Sequence, residues 1–127
     1  MGAWGSGSFQ NDSALNWVDR FLDNEGMSLI INKLEGIINY AGYIEVDAAS
    51  AGIAASEIIA AIKGRPSEDF RDELKEFSQN AVINNEIELL AIRAVEKIFS
   101  KSELSELWGP SDSEEMKKDL INRIKTI

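Results

Sequence analysis

The chain has 127 residues, of which 44% are hydrophobic and 28% charged, so it has the length and composition of one folded domain. It contains neither cysteine nor histidine, which excludes disulfides, the usual zinc sites, thiol nucleophiles and Ser-His-Asp triads. Its formal net charge of −9, from 22 acidic and 13 basic residues, argues against a nucleic-acid-binding surface and for a cationic or basic partner.

The first part of the chain predicts two helices behind a Gly/Ser-rich segment. We expect that segment, residues 1–10, to pack on the rest of the domain. Possible N-caps at residues 11–13 precede a first amphipathic helix that ends near residue 24. A second helix is predicted from about residue 28 to 40, and Gly42 is expected to terminate it.

The next predicted helix, from about residue 47 to 63, is rich in alanine and isoleucine and has little polar surface. A helix that is apolar nearly all round belongs in the middle of a bundle. Gly64 is placed to end it in a left-handed conformation, and Pro66 blocks its continuation. This pattern predicts a central Ala/Ile-rich helix.

Three further segments of the chain are helical by the same criteria. Ser67 is expected to cap a fourth helix, and a fifth runs from about residue 85 to 99. A short helical turn over residues 102–108 is closed by the next glycine and proline, and a capping box of Ser111 and Glu114 opens the last helix.

Nothing in the sequence predicts a strand, because no run alternates strictly between hairpin turns. The connections between the predicted helices are short, which favours antiparallel neighbours. The expected fold is therefore all-α, a compact single-domain helical bundle of about six helices spanning residues 1–127.

Glu57 is the unusual residue of the central helix, because a carboxylate among Ile and Ala is costly unless it is paired. It would be a general base or a ligand if functional. We favour a structural role, with hydrogen bonds from an arginine, from Asn11 or from backbone N–H groups of the N-terminal glycine-rich loop.

Carboxylates also follow one another along the first helix, at Asp12, Asp19, Asp23 and Glu25. Asp19 and Asp23 lie one turn apart on its polar face, which is the ordinary solvated arrangement, and no calcium-loop pattern is present. We take Asp19, Asp23 and Glu25 as candidates for binding a partner.

The run over residues 1–17, with its glycines, Trp4 and an Asn-Asp pair, resembles the opening of a bacterial family of unknown function, the domain-of-unknown-function family numbered 4259. The resemblance continues over residues 54–66 and 102–108. It implies a small cytoplasmic protein in which Trp4, Asn11, Asp12 and Glu57 belong together, and it assigns these residues no chemistry.

We expect a non-enzymatic protein-binding module of the immunity or antitoxin kind, which neutralises a basic toxin, because an acidic inhibitor is steered onto a basic partner. No cofactor, nucleic acid or membrane partner is expected. One alternative is an enzyme or divalent-cation-binding protein that uses Asp12 and Glu57. Another is a structural or regulatory homo-oligomer, and the sequence leaves the oligomeric state open.

Overall fold

The computed structural model describes residues 12–24, 26–67, 70, 72–100 and 102–125. Within these ranges it has an all-α fold, which confirms the predicted class. Its elements are α1 (Asp12–Asn24), α2 (Met27–Asn39), α3 (Val46–Ile62), a 3-10 turn (Asp72–Leu74), α4 (Lys75–Asn80), α5 (Asn85–Ser100) and α6 (Glu103–Lys125). Within the described residues, Ile44 and Ser102 form one isolated parallel β-bridge.

Helix α3 is the centre of the bundle, as its composition predicts. Twelve of its 17 residues are buried, and α1, α2, α4, α5 and α6 all pack against it. The small side chains along it allow these neighbours to approach closely, and the isoleucines fill the space between them. A helix surrounded in this way has no solvent face, which is why its apolar pattern lacks a polar stripe.

At Gly52, side chains of α2 and α5 approach the backbone of α3 closely. A Cβ atom at this position would lie 2.1 Å from Cδ1 of Ile37 in α2 and 2.9 Å from Cδ1 of Ile98 in α5. Both distances are shorter than carbon atoms tolerate, so the side chains of α2 and α5 occupy the space that any larger residue would need.

The end of α3 has the predicted glycine stop. Gly64 has φ +89°, its N–H donates to the carbonyl of Ala61 at 2.9 Å, and the N–H of Arg65 donates to the carbonyl of Ala60 at 2.9 Å. These two bonds form a Schellman motif, which satisfies two carbonyls that the last turn would otherwise leave without partners.

The predicted role of Gly42 is wrong. Helix α2 ends at Asn39, and the extended backbone of Tyr40 (φ −69°, ψ 127°) already leads the chain away. The carbonyl oxygens at this helix end accept hydrogen bonds from a residue far along the chain. The Lys97 ammonium of α5 donates to the carbonyls of Ile38 and Tyr40. No glycine cap is needed where an ammonium supplies the donor.

The predicted start of the fourth helix is also wrong. The carbonyl of Ser67 accepts the N–H of Phe70 at 3.2 Å, and Phe70 is only 9% exposed and lies outside any helix. Because Phe70 enters the core before a helix begins, regular structure in the described residues starts later, with the 3-10 turn and then α4. A buried Leu74 ends that turn and anchors it.

Helix α6 contains a break where the sequence predicts one. Gly109 has φ 82° and ψ 163°, which is not helical, and the chain is helical again from residue 110. Ser111 therefore lies inside the helix and is not its N-cap, because the positive φ of Gly109 lets the following proline take the first helical position.

A membrane-spanning helix needs about 20 predominantly apolar residues. Even α6, with 23 residues, carries many charges, and no helix of the described part is long and apolar enough to cross a membrane.

Candidate functional site

The carboxylate of Glu57 lies in the centre of the bundle and is 1% exposed. Its Oε1 accepts a hydrogen bond from Nη1 of Arg123 at 2.6 Å, and its Oε2 accepts one from Nη2 at 2.9 Å. This parallel pair of charge-assisted bonds is the strongest arrangement that a guanidinium and a carboxylate can make. The buried, hydrogen-bonded carboxylate expected at this position is observed, with an arginine of α6 as its partner.

Arg123 has further partners at the edge of the bundle. Its Nε donates to Oδ2 of Asp119 at 2.9 Å, and its Nη1 also donates to the carbonyl of Arg65 at 3.3 Å. Burial lowers the pKa of Arg123, but the hydrogen bonds and charges of Glu57 and Asp119 outweigh this effect and raise it above its usual value. The guanidinium therefore stays cationic wherever the protein is folded.

This geometry limits what Glu57 does chemically. A general base needs an oxygen that a substrate proton can reach, and both oxygens of Glu57 are bonded to Arg123 inside the core. Among the residues that the structure describes, no group of three or more carboxylates lies close enough together to hold a metal ion. The Glu57–Arg123 pair fastens α6 to α3.

The other predicted site residues lie away from this pair or outside the described residues. Asp19 and Asp23 are exposed on the outer side of α1. Asp12 is the first residue of α1, and its side chain is not described. Trp4, Asn11 and Glu25 lie outside the described residues, so the expected association of the first two with Glu57 stays a prediction.

An exposed surface of two tyrosines and two acids lies where α2 leads into α3. Tyr40 and Tyr43 are 53% and 48% exposed, and Glu45 and Asp47, which follow within a few residues in the sequence, are exposed too. We call these four residues the Tyr-acid surface. The two acids have a partial structural explanation. Glu45 is the N-cap of α3 and Asp47 lies in its first turn, where negative charge stabilises a helix.

The two tyrosines were not predicted from the sequence as binding residues. Tyrosines are enriched where proteins bind one another, because the ring has an apolar body and the hydroxyl can form a hydrogen bond. The available signal was their position, since Tyr40 ends the second predicted helix outside its apolar stripe and Tyr43 lies between that helix and the next.

The chain matches a known protein family. Residues 2–119 match the family model described as Domain of unknown function (DUF4259). The chain belongs to this family. No curated protein and no solved structure matches it. Membership of DUF4259 therefore gives the chain a family and no activity.

The extent of the DUF4259 match bears on the core ion pair. Glu57 lies within the matched residues and Asp119 is the last of them, whereas Arg123 lies four residues beyond the match. The three stretches that carry the resemblance in the sequence all fall inside it, apart from Met1.

Proposed function

We propose that this DUF4259 member is a non-enzymatic protein-binding module that neutralises a basic protein partner, in the manner of an immunity protein or antitoxin. The observation that carries the proposal is the Tyr-acid surface. Tyr40 and Tyr43 are large, rigid and half-exposed, and the carboxylates of Glu45 and Asp47 lie within a few residues of them.

The tyrosines supply the affinity in this proposal. A tyrosine that becomes buried at an interface removes a large apolar area from water, loses little rotamer freedom and keeps a hydroxyl for hydrogen bonding. Residues of this kind dominate the binding energy of many interfaces. The backbone that carries Tyr40 is fixed, because the Lys97 ammonium holds the Tyr40 carbonyl, so the partner would meet a surface that is already ordered.

The carboxylates supply the choice of partner. The whole chain carries a net charge of −9, and Glu45 and Asp47 place negative charge next to the proposed contact. Asp19 and Asp23 on α1 add to the same field. A field of this sign accelerates encounter with a basic protein and disfavours acidic ones.

We propose a toxin that acts on nucleic acid as the partner, since such proteins present basic surfaces to phosphate groups. An acidic inhibitor bound there would cover the surface that the nucleic acid needs. The proposed place of action is the cytoplasm. A chain without cysteine has no disulfide that the reducing conditions there could break.

The test begins with co-purification from the source cell, followed by binding measurements on the purified partner. Replacing both Tyr40 and Tyr43 with alanine should raise the dissociation rate about tenfold or more, because each truncated hot-spot tyrosine costs at least about 1 kcal/mol. The matched control replaces Val82 and Leu89, which are 85% and 48% exposed elsewhere on the surface, and should leave the rate unchanged.

Two results would contradict the proposal. One is a partner with an acidic or neutral surface, since the charge argument would then have the wrong sign. The other is equal weakening by the tyrosine pair and by the control pair, which would place the contact away from the Tyr-acid surface.

A further inference from the structure

The connection between α2 and α3, residues 40–45, carries Tyr40, Tyr43 and Glu45 of the Tyr-acid surface. Its residues are exposed apart from Ile44, which is 2% exposed and enters the core. A short exposed segment has few packing contacts of its own, so its conformation depends on how its two ends are held.

Lys97 of α5 holds the first end of this connection. Its Nζ donates to the carbonyl of Ile38 at 3.0 Å and also to the carbonyl of Tyr40. The two acceptors lie on either side of the residue where α2 ends, so the ammonium spans the change from helical to extended backbone. Two of its three N–H donors are thereby committed to the direction in which the chain leaves α2.

The exit of α5 holds the second end of the connection. Ile44 pairs with Ser102 in the isolated parallel bridge. Ser102 is fully buried, and its hydroxyl donates to the carbonyl of Ile98, the residue that follows Lys97 in the last turn of α5. Both ends of the connection are therefore held from the same end of one helix, and the exposed residues 41–43 form a short loop between two fixed points.

The ring of Tyr40 lies against the backbone of Gly42 inside this loop. A Cβ atom built on Gly42 would be 3.3 Å from Cε2 of Tyr40 and 3.9 Å from its Cζ. The shorter distance is tighter than carbon atoms usually adopt, so a methyl group here would push the ring aside. The φ of Gly42 is not positive, so an alanine at this position would be opposed by the ring and not by the backbone.

Tyr40 also lines a groove of about 550 Å³ between α1, α2 and the start of α3. A ring whose backbone was released would therefore have open space to turn into. Its observed place depends on the two hydrogen bonds from Lys97 and on the absence of a side chain at Gly42.

We propose that Lys97 is a positioning residue of the Tyr-acid surface, which holds Tyr40 over Gly42 in the orientation that the partner meets. This inference rests on the proposed function and adds to it residues that set the affinity without touching the partner. An anchor side chain that is already ordered loses less conformational freedom on binding, so its contact with the partner contributes more to affinity.

The first test needs no partner. The chain has two tyrosines, and both belong to the Tyr-acid surface, so 3-fluorotyrosine labelling of the full chain gives two ¹⁹F resonances that report on it. Tyr40→Phe assigns them. Lys97→Met keeps the aliphatic stem and removes the donors, so it should move the Tyr40 resonance toward its position in the urea-unfolded protein. Lys97→Arg should restore the parent resonance, because a guanidinium can donate to both carbonyls.

Two further variants serve as controls. Lys118→Met makes the same chemical change at an exposed site on α6 and should leave both resonances unchanged. Gly42→Ala keeps the donors of Lys97 but displaces the ring. It should shift the Tyr40 resonance with little effect on the melting temperature, since Tyr40 is 53% exposed and has room to move. This variant keeps the proposal testable should Lys97→Met fail to fold.

The second test uses the co-purified partner. Lys97→Met should raise Kd about threefold to tenfold, which is the usual cost of ordering one side chain at an interface. In a Tyr40→Ala background the same change should leave Kd unaltered, because there is no ring left to position.

An unchanged Tyr40 resonance in folded Lys97→Met or in Gly42→Ala would overturn the proposal. So would a shift that Lys97→Arg fails to reverse, since the two hydrogen bonds would then not be its cause. Equal weakening of binding by Lys97→Met with and without the Tyr40 ring would show that Lys97 acts on something else. Failure to find a basic partner would contradict the proposed function alone, because the ¹⁹F measurements do not depend on it.

Discussion

Arg123 closes a two-bond ion pair on Glu57, which lies 66 residues earlier in the chain, with N–O distances of 2.6 and 2.9 Å. The carboxylate is 1% exposed and the arginine side chain 12% exposed. The pair therefore runs from the centre of the bundle to its edge. Its removal affects the two partners unequally, because only one of them can reach water.

Replacing Arg123 with alanine should lower the free energy of unfolding by about 3–5 kcal/mol, since it removes the cation from a buried carboxylate. Glu57→Ala should cost less than this, because Arg123 keeps Asp119 and is close to solvent. Urea denaturation followed by circular dichroism measures both values.

The control for the ion pair is Asp119→Ala. Asp119 is 66% exposed, so its loss should change stability by less than about 1 kcal/mol, the usual range of a surface pair. Equal losses for Asp119→Ala and Arg123→Ala would show that the Glu57 contact contributes nothing. The double variant Glu57→Leu, Arg123→Met should recover much of the stability, because neither charge is then left alone.

Two glycines in helices should respond to alanine in opposite directions. Gly52→Ala should destabilise the fold by about 1–3 kcal/mol, since the new methyl group overlaps Ile37 and Ile98. Gly36→Ala meets open space and should stabilise it by up to about 1 kcal/mol through helix propensity. Thermal unfolding of the two variants measures both effects, and stabilisation by Gly52→Ala would refute the packing found at Gly52.

Stability should depend on pH through Lys33. Its pKa is lowered in the folded state, so at neutral pH the folded protein carries a positive charge that burial disfavours. Lys33→Met should therefore be more stable than the parent at neutral pH. As the pH rises through the lowered pKa toward 10.5, the unfolded state binds more protons than the folded one, so the parent gains stability and the advantage of the variant shrinks.

The measurement for Lys33 is a series of urea titrations of both proteins from neutral to alkaline pH. Lys118→Met is the matched control, because Lys118 is exposed on α6. A constant difference between Lys33→Met and the parent across the whole series would contradict the burial of the Lys33 ammonium.

The proposed partner should associate more slowly once the charge of α1 is reversed. Changing Asp19 and Asp23 to lysine should reduce the association rate about tenfold at low salt, since long-range charge acts on encounter. The dissociation rate should hardly change. The core should be unaffected, because both side chains are exposed.

Two controls accompany the charge reversal on α1: a series of salt concentrations and a matched charge reversal on other helices. The difference between variant and parent should fade as salt rises, because screening acts over roughly 10 Å at about 0.1 M. Reversing Glu96 and Glu115, which are exposed on α5 and α6, makes the same change in net charge at another place. If it slows association as much as the α1 reversal, the partner does not approach α1.

Local features of the fold were predictable from the sequence. Residues 47–63 predict a buried helix because their apolar pattern leaves little polar surface, and Gly64 followed by Pro66 predicts its end, as observed. Asn84 was missed as the N-cap of α5, although its Oδ1 accepts the N–H of Ile87 at 2.9 Å. An asparagine just before a helix is a recognisable signal of this kind.

Features that join distant parts of the chain were not predictable in the same way. Nothing near Arg123 in the sequence identifies Glu57 as its partner, because the pairing depends on how α6 packs on α3. The groove lined by Arg20 and Lys33 depends equally on packing, because it forms only where α1 and α2 converge. One signal was present, because Leu29, Lys33, Gly36 and Tyr40 follow helical spacing along α2 beside the apolar stripe.

The ammonium of Lys97 holds the carbonyls at the end of α2, at Ile38 and Tyr40, from 57 to 59 residues away. Helix α2 has no basic residue in its own last turn, so its C-terminal carbonyls receive this cation only from α5. The stability of the last turn of α2 therefore depends on the docking of α5, although the two helices are far apart in the chain.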